Sequence, residues 1–174
     1  MTGSLQFPEM TLVLGGARSG KSRHAETLAR SLGLPRRYIA TSQAFDTEMT
    51  ARIARHQADR GTDWRLIEAP LNLCCALSDV PAGEVVLIDC ATLWLTNHLL
   101  AGHDLVAQTA ELQAALVACR SPVIVVSNEV GWSIVPDNAL SRTFSDAQGR
   151  LNQALAAQAA RVVMVVAGLP MVLK

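Results

Sequence analysis

Short, unbroken apolar runs recur along the chain, separated by stretches with helical spacing. Thr11–Leu14, Arg37–Ala40, Val85–Ile88, Val123–Val126 and Val162–Val166 are such runs, too short to be helices and rich in Val, Ile and Leu. Continuous apolar character, rather than in-out alternation, predicts strands covered on both faces. Trp64–Ile67 adds a further candidate strand. Between the runs, Lys21–Leu32, Thr47–Arg60, Leu71–Leu77, Leu105–Ala118 and an Ala-rich stretch opened by Pro136-Asp137-Asn138 and reaching about Ala160 predict helices. Another helix is expected to start at Cys90-Ala91-Thr92. Strand alternating with helix predicts an α/β fold with a mostly parallel central sheet flanked by helices. Met171–Leu173, after the Gly168-Leu169-Pro170 turn, reads as an antiparallel edge strand.

The chain has 174 residues, which bounds it to one domain; residues 10–174 carry the pattern and 1–9 read as an N-terminal extension. Half the residues are hydrophobic, which excludes wholesale disorder. Fifteen Lys and Arg balance 15 Asp and Glu, so the basic footprint of a nucleic-acid binder or a polybasic membrane anchor is missing. The apolar stretch Val162–Leu173 is only 12 residues long and contains Gly168 and Pro170, too short to span a bilayer. The first ten residues have no Lys or Arg and are not a secretory signal. Cys74, Cys75, Cys90 and Cys119 form no CxxC pair; they read as reduced thiols of a cytoplasmic protein, without a zinc site.

Gly15-Gly16-Ala17-Arg18-Ser19-Gly20-Lys21-Ser22 fits GxxxxGK[ST] and lies between a predicted strand and a predicted helix. Glycines let the backbone curl so that N–H groups point at phosphate oxygens, and the helix N-terminus adds partial positive charge. Lys21 would neutralise the β- and γ-phosphates, and the Ser22 hydroxyl would hold Mg²⁺. Asp89, at the end of an apolar strand, is the candidate acid for that Mg²⁺; the competing reading makes it the cap of the following helix. No guanine-reading N-K-x-D stretch is present and the chain is neutral, so a small-molecule kinase leads over a GTP switch or a nucleic-acid motor.

Thr41 and Ser42 follow the second strand, where ligand contacts or ordinary turn chemistry are expected. Met49, Ile53 and His56 share a helix face among Arg52, Arg55 and Arg60. Spacing alone makes His56 a packed or partner-facing residue and the arginines a solvated face or phosphate clamps. Glu129 could orient a water or an acceptor hydroxyl, or simply bond the loop that follows it. Trp94 and Trp132 could line a ligand cleft, but core positions are favoured.

GGARSGKS, YIATSQ, DTEMTARIARHQADRG and DWRLIEAP together resemble the bifunctional adenosylcobinamide kinase/adenosylcobinamide-phosphate guanylyltransferase family. The likeness continues through VVLIDCATLWLTNHLL, SNEVGWSIVP and RVVMVVAGLPMVLK, so it covers nearly all of the chain from Met10. The A-R-I-x-x-H and S-N-E-V-G-x-x-I-V-P blocks are far more specific than the phosphate loop. The resemblance implies phosphorylation of the aminopropanol hydroxyl of adenosylcobinamide by ATP or GTP. Transfer of GMP from GTP to that phosphate follows, giving adenosyl-GDP-cobinamide. It implies that His56 carries the guanylate covalently, reversing the reading from spacing. It further places Thr41 and Ser42 beside the nucleotide, Gln57, Ala58, Asp59 and Arg60 along the guanylate, Glu68 at the guanine edge and Asp89 at Mg²⁺. A corrinoid substrate and a homo-oligomer are implied as well. Arg55 stands where some relatives have a second histidine, and Asp89 where some have Glu. A small-molecule kinase without nucleotidyl transfer, or a non-catalytic nucleotide-binding module, is the alternative.

Overall fold

The computed structural model describes residues 10–43, 61 and 63–174. Among the described residues seven strands form one sheet: β1 (Met10–Gly15), β2 (Arg36–Ala40), β3 (Trp64–Glu68), β4 (Val85–Asp89), β5 (Val123–Asn128), β6 (Arg161–Val166) and β7 (Leu169–Val172). Their order is β3-β2-β4-β5-β1-β6-β7. All neighbours are parallel except β6 and β7, which pair antiparallel through a tight turn, as the sequence predicts. The described helices are α1 (Lys21–Ser31), α2 (Leu73–Ser78), α3 (Ala91–Leu100), α4 (Leu105–Ala118) and α5 (Ala139–Gln158).

The unbroken apolar runs are explained by two separate cores. Leu12, Leu14, Val86, Ile88, Val123, Val125, Val162 and Met164 point to one face, where they pack with Leu73, Trp94, Leu112 and Leu151 of α2 to α5. Val13, Val85, Leu87, Ile124, Val126, Val163 and Val165 point to the other, against Ala25 and Ala29 of α1. Successive strand residues alternate between faces, so a strand buried on both sides has no polar position to spare. The outer strand β3 lacks such cover, and its residues are half-buried or exposed.

Local chemistry sets the helix ends. Asp104 accepts from the N–H groups of Val106 and Ala107 at 2.9 and 3.2 Å, so the polar break before α4 is its N-cap. Asn138 caps α5 by accepting from Ser141 N at 2.8 Å. α5 stops at Gln158 rather than Ala160 because Ala160 N already donates to Met10 O at 3.0 Å, drawing the chain into β6. α2 begins at Leu73 rather than Leu71 because the carbonyls of Pro70 and Leu71 are taken by side chains of α3. The predicted helix Thr47–Arg60 lies outside the described residues.

Candidate nucleotide site

β1 enters α1 through the loop Gly15–Gly20, and the loop has no slack. A Cβ on Gly15 would run into the Ser19 hydroxyl and lie 2.8 Å from the Val165 carbonyl. Gly20 adopts φ +94°, a left-handed conformation that glycine takes without strain. Ser19 N donates to Gly16 O at 3.2 Å, and Ser19 O accepts from Gly168 N at 2.8 Å, tying the loop to the β6–β7 turn. The Ser19 hydroxyl is buried without a hydrogen-bond partner among the described residues. Buried polar groups are normally satisfied, so this orphan suits a ligand oxygen. Lys21 Nζ folds back over the loop and donates to Gly16 O at 3.0 Å. Ser22 follows it in the first turn of α1, half-buried.

Asp89 closes β4 one strand beyond, because β5 lies between β4 and β1. It does not cap α3: Cys90 occupies the N-cap position, and its Sγ accepts from Leu93 N at 3.5 Å. The Asp89 carboxylate accepts at Oδ2 from the Tyr38 hydroxyl at 3.0 Å. Burial pushes the Cys90 thiol up to about 12, with the Asp89 charge adding to the rise and the Lys21 ammonium among the groups opposing it. The loop lysine and the strand-end acid thus act on one buried sulfur with opposite sign.

The strand ends form a row. Ala40 pairs with Glu68 on one side and Asp89 on the other. Glu68 is exposed on outer strand β3, well away from the phosphate loop. Thr41 is fully buried, and its hydroxyl accepts from Cys90 N at 2.8 Å and donates to Cys90 O at 2.7 Å. That hydroxyl braces the turn after β4; Ser42, next in the chain, is half-buried. His56, Gln57, Ala58, Asp59 and Arg60, with Arg52 and Arg55, lie outside the described residues.

Sequence reasoning missed the frame behind this row. Asn97 Nδ2 donates to Thr41 O at 2.8 Å and to Pro70 O at 2.9 Å, binding the chain after β2 to the chain after β3. Ser127 donates to Asn152 Oδ1 at 2.7 Å and accepts from Gln148 Nε2 at 2.9 Å. Thr92 Oγ1 accepts from Asn128 N at 2.7 Å, and Asn152 Nδ2 donates to Asn128 O at 2.9 Å. Polar letters inside the apolar helix α3 were the available signal; on α5, polar throughout, Gln148 and Asn152 do not stand out. Trp94 is buried as expected, with Nε1 donating to Leu71 O at 3.0 Å. Trp132 corrects the core expectation: it is 77% exposed, because the loop after β5 carries it out over the phosphate loop rather than into the sheet.

A phosphate loop joining the first strand to the first helix of a parallel sheet, with an acid one strand further on, defines a P-loop nucleotide-binding protein. Solved structures agree at the level of fold. The RadB recombinase superposes with a TM-score of 0.55 at 18% identity, covering 90% of this chain and 74% of that one. The P4 protein of bacteriophage phi6 in complex with ADP gives 0.50 at 16% identity, covering 95% and 54%. Residues 11–173 match the family cobinamide kinase / cobinamide phosphate guanyltransferase, and the chain belongs to that family. The bifunctional adenosylcobalamin biosynthesis protein CobP of Pseudomonas aeruginosa is 50% identical, covering 94% of this chain and 96% of its own. CobU of Escherichia coli K12 is 43% identical over 95% of this chain and 99% of its own.

Proposed function

We propose that the chain phosphorylates the aminopropanol hydroxyl of adenosylcobinamide with ATP or GTP, then moves GMP from GTP onto the new phosphate through His56. The observation that carries this is the phosphate loop, complete at every required position and joined to Asp89 through one sheet, in a chain matching the family over residues 11–173. A kinase without nucleotidyl transfer, or a non-catalytic module, leaves the A-R-I-x-x-H block around His56 without a purpose.

In the first step the acceptor oxygen bonds to the γ-phosphorus while the β–γ bridging P–O bond breaks. Loop N–H groups, Lys21 and the N-terminus of α1 stabilise the charge on the phosphates. In the second, a ring nitrogen of His56 attacks the α-phosphorus of GTP and pyrophosphate departs. The cobinamide phosphate oxygen then takes the guanylyl group as the P–N bond breaks. Neutral imidazole has its lone pair available near pH 7.

Ser22 and Asp89 would hold Mg²⁺. The oxygens fit: one hydroxyl and one carboxylate are hard donors, and such sites draw further ligands from phosphate and water. When bound, the ion would supply positive charge against the phosphates. Among the described residues no cluster of three or more His, Cys, Asp or Glu competes for it. Gln57, Ala58, Asp59 and Arg60 would flank the guanylate, with Glu68 reading the guanine edge. Thr41 and Ser42 stay beside the nucleotide, Thr41 as a brace.

No described helix is long and apolar enough to cross a membrane. A cytoplasmic setting is supported by four free cysteines. A homo-oligomer is supported by the exposed apolar residues Leu169, Met171 and Val172 on edge strand β7 and Leu173 just after it.

The test is incubation with GTP labelled at the α-phosphate. Acid-labile, base-stable label is expected on the protein, and His56→Ala should abolish it while sparing phosphoryl transfer. Label that persists in His56→Ala would overturn the assignment.

A further inference from the structure

The loop that leaves β5 stands directly beside the phosphate loop, and its first residue is an acid. Glu129 N donates to Gly15 O at 3.1 Å, so the backbone of Glu129 is bonded to the residue that opens the phosphate loop. The preceding peptide groups are held as firmly. Thr92 takes the Asn128 N–H and Asn152 reaches the Asn128 carbonyl, both from the buried network around Ser127 and Gln148. Gln148 is 0% exposed, an expensive place for an amide in a core. Gln148 Oε1 and Asn128 Oδ1 have no partner among the described residues, but the bonds the network does make hold one geometry. Here the geometry fixed is that of the chain on which Glu129 sits.

The carboxylate is half committed. Glu129 Oε1 accepts from Gly131 N at 2.8 Å. Among the described residues no partner occupies Oε2, and no Lys or Arg forms an ion pair with it. Glu129 shares a cavity of about 330 Å³ with Gly16, Ala17, Arg18, Ser19 and Trp132. The opposite wall is the end of β6 and its turn. The cavity is therefore bounded by the phosphate loop, an acid and an exposed indole. Trp132, 77% exposed, stands at this opening, and Ile134, two residues on, is 90% exposed, so the loop carries apolar side chains into solvent. A large exposed aromatic at the rim of a concave site marks a surface meant to be covered by a ligand.

We propose that this cavity takes the hydroxyl-bearing arm of the phosphoryl acceptor, with Glu129 as the proton acceptor of the kinase step and Trp132 as the wall against which the bulky remainder rests. The inference rests on the kinase half of the reading above and deepens it. As the acceptor oxygen bonds to the γ-phosphorus, the nucleoside diphosphate leaves with the electron pair of the broken P–O bond. The hydroxyl proton passes to Glu129 Oε2 and from there to solvent. The macrocycle is too large for the cavity, so only the arm enters and the apolar rim meets Trp132.

Glu129→Gln separates this role from a structural one, because the amide oxygen still accepts from Gly131 N. Phosphoryl transfer from ATP to adenosylcobinamide is expected to fall roughly 10²- to 10⁴-fold, the usual worth of a general base. ATP affinity and self-labelling from α-labelled GTP should stay at wild-type levels. Trp132→Ala should raise KM for the corrinoid with kcat nearly unchanged. Wild-type phosphoryl transfer in Glu129→Gln would overturn the proposal. So would a variant that loses ATP binding or self-labelling along with the kinase step, since that is a folding defect. A wild-type protein that self-labels but never phosphorylates cobinamide would instead overturn the reading on which the proposal rests.

Discussion

Thr41 and Glu129 show how polar residues at strand ends serve the site in two ways. Both are polar, and both follow a strand at its carboxyl end. The Thr41 side chain is fully buried and spends its hydroxyl on the N–H and C=O of Cys90. Its substitution is therefore a matter of stability. Thr41→Val keeps the shape but leaves a buried N–H without a partner, which costs about 1–3 kcal/mol. Urea unfolding should show that loss, with the slope of the transition unchanged. Glu129 keeps an oxygen toward a cavity, so its substitution belongs to kinetics. Sequence patterning read the phosphate loop at full strength, because its chemistry needs fixed residue types at fixed spacing. It could not sort Thr41 from Glu129, since partner and exposure decide between bracing and reacting and neither is written in the local letters. Trp132 failed for the same reason: an indole says apolar, and only the course of the loop says outside.

At the scale of elements, α3 does the most to shape the site, and its sequence hid that role. ATLWLTNHLL reads as a greasy helix with four polar intrusions. Three of them, Thr92, Asn97 and His98, face inward. Asn97 ties together the chain segments that leave β2 and enter α2, and His98 lies against Leu71 O at 3.2 Å. The His98 ring also meets His103, with Nδ1 to Nδ1 at 2.8 Å. Burial holds the His98 imidazole below its ordinary value of 6.5; the Leu71 carbonyl pulls upward, His103 downward and Glu111 upward. The unfolded chain therefore binds this proton first as the pH falls. The stabilisation from neutral His98 is complete above the unfolded value and is lost as the pH falls through the lower folded one. His24, lowered by burial and then by Arg161, acts with the same sign. The urea midpoint should drop between about pH 7 and about pH 5, and His98→Gln should flatten that drop. An unchanged slope in His98→Gln would remove the histidine from the account. The strands, by contrast, were legible almost to the residue, because a sheet buried on both faces tolerates few polar letters.

For the molecule as a whole, the edge of the sheet beyond β6 is the short strand β7. β7 turns back along β6, and Leu173 N donates to Val162 O at 2.8 Å. Removing residues 169–174 strips β6 of that partner and leaves a long apolar edge, the template for intermolecular pairing. The shortened chain should aggregate at concentrations where the full chain stays dispersed, as light scattering would show; a clear solution would assign β7 no protective role. The fold class was readable because strand and helix alternate so regularly. The strand order was not, since the order depends on which apolar runs meet across the sheet. That order carries the last consequence. With β5 set between β1 and β4, the phosphate loop and Asp89 stand two strand spacings apart, about 10 Å across the sheet. Lys21 Nζ stays at the loop end of that span, on Gly16 O. Under the proposed function a row of phosphates would bridge it. The spacing would then act as a ruler laid along the sheet, set to the length of a phosphate chain and not to the base it hangs from. ATP and GTP are the same length on that scale, so the proposed function expects this spacing to treat them alike as phosphoryl donors.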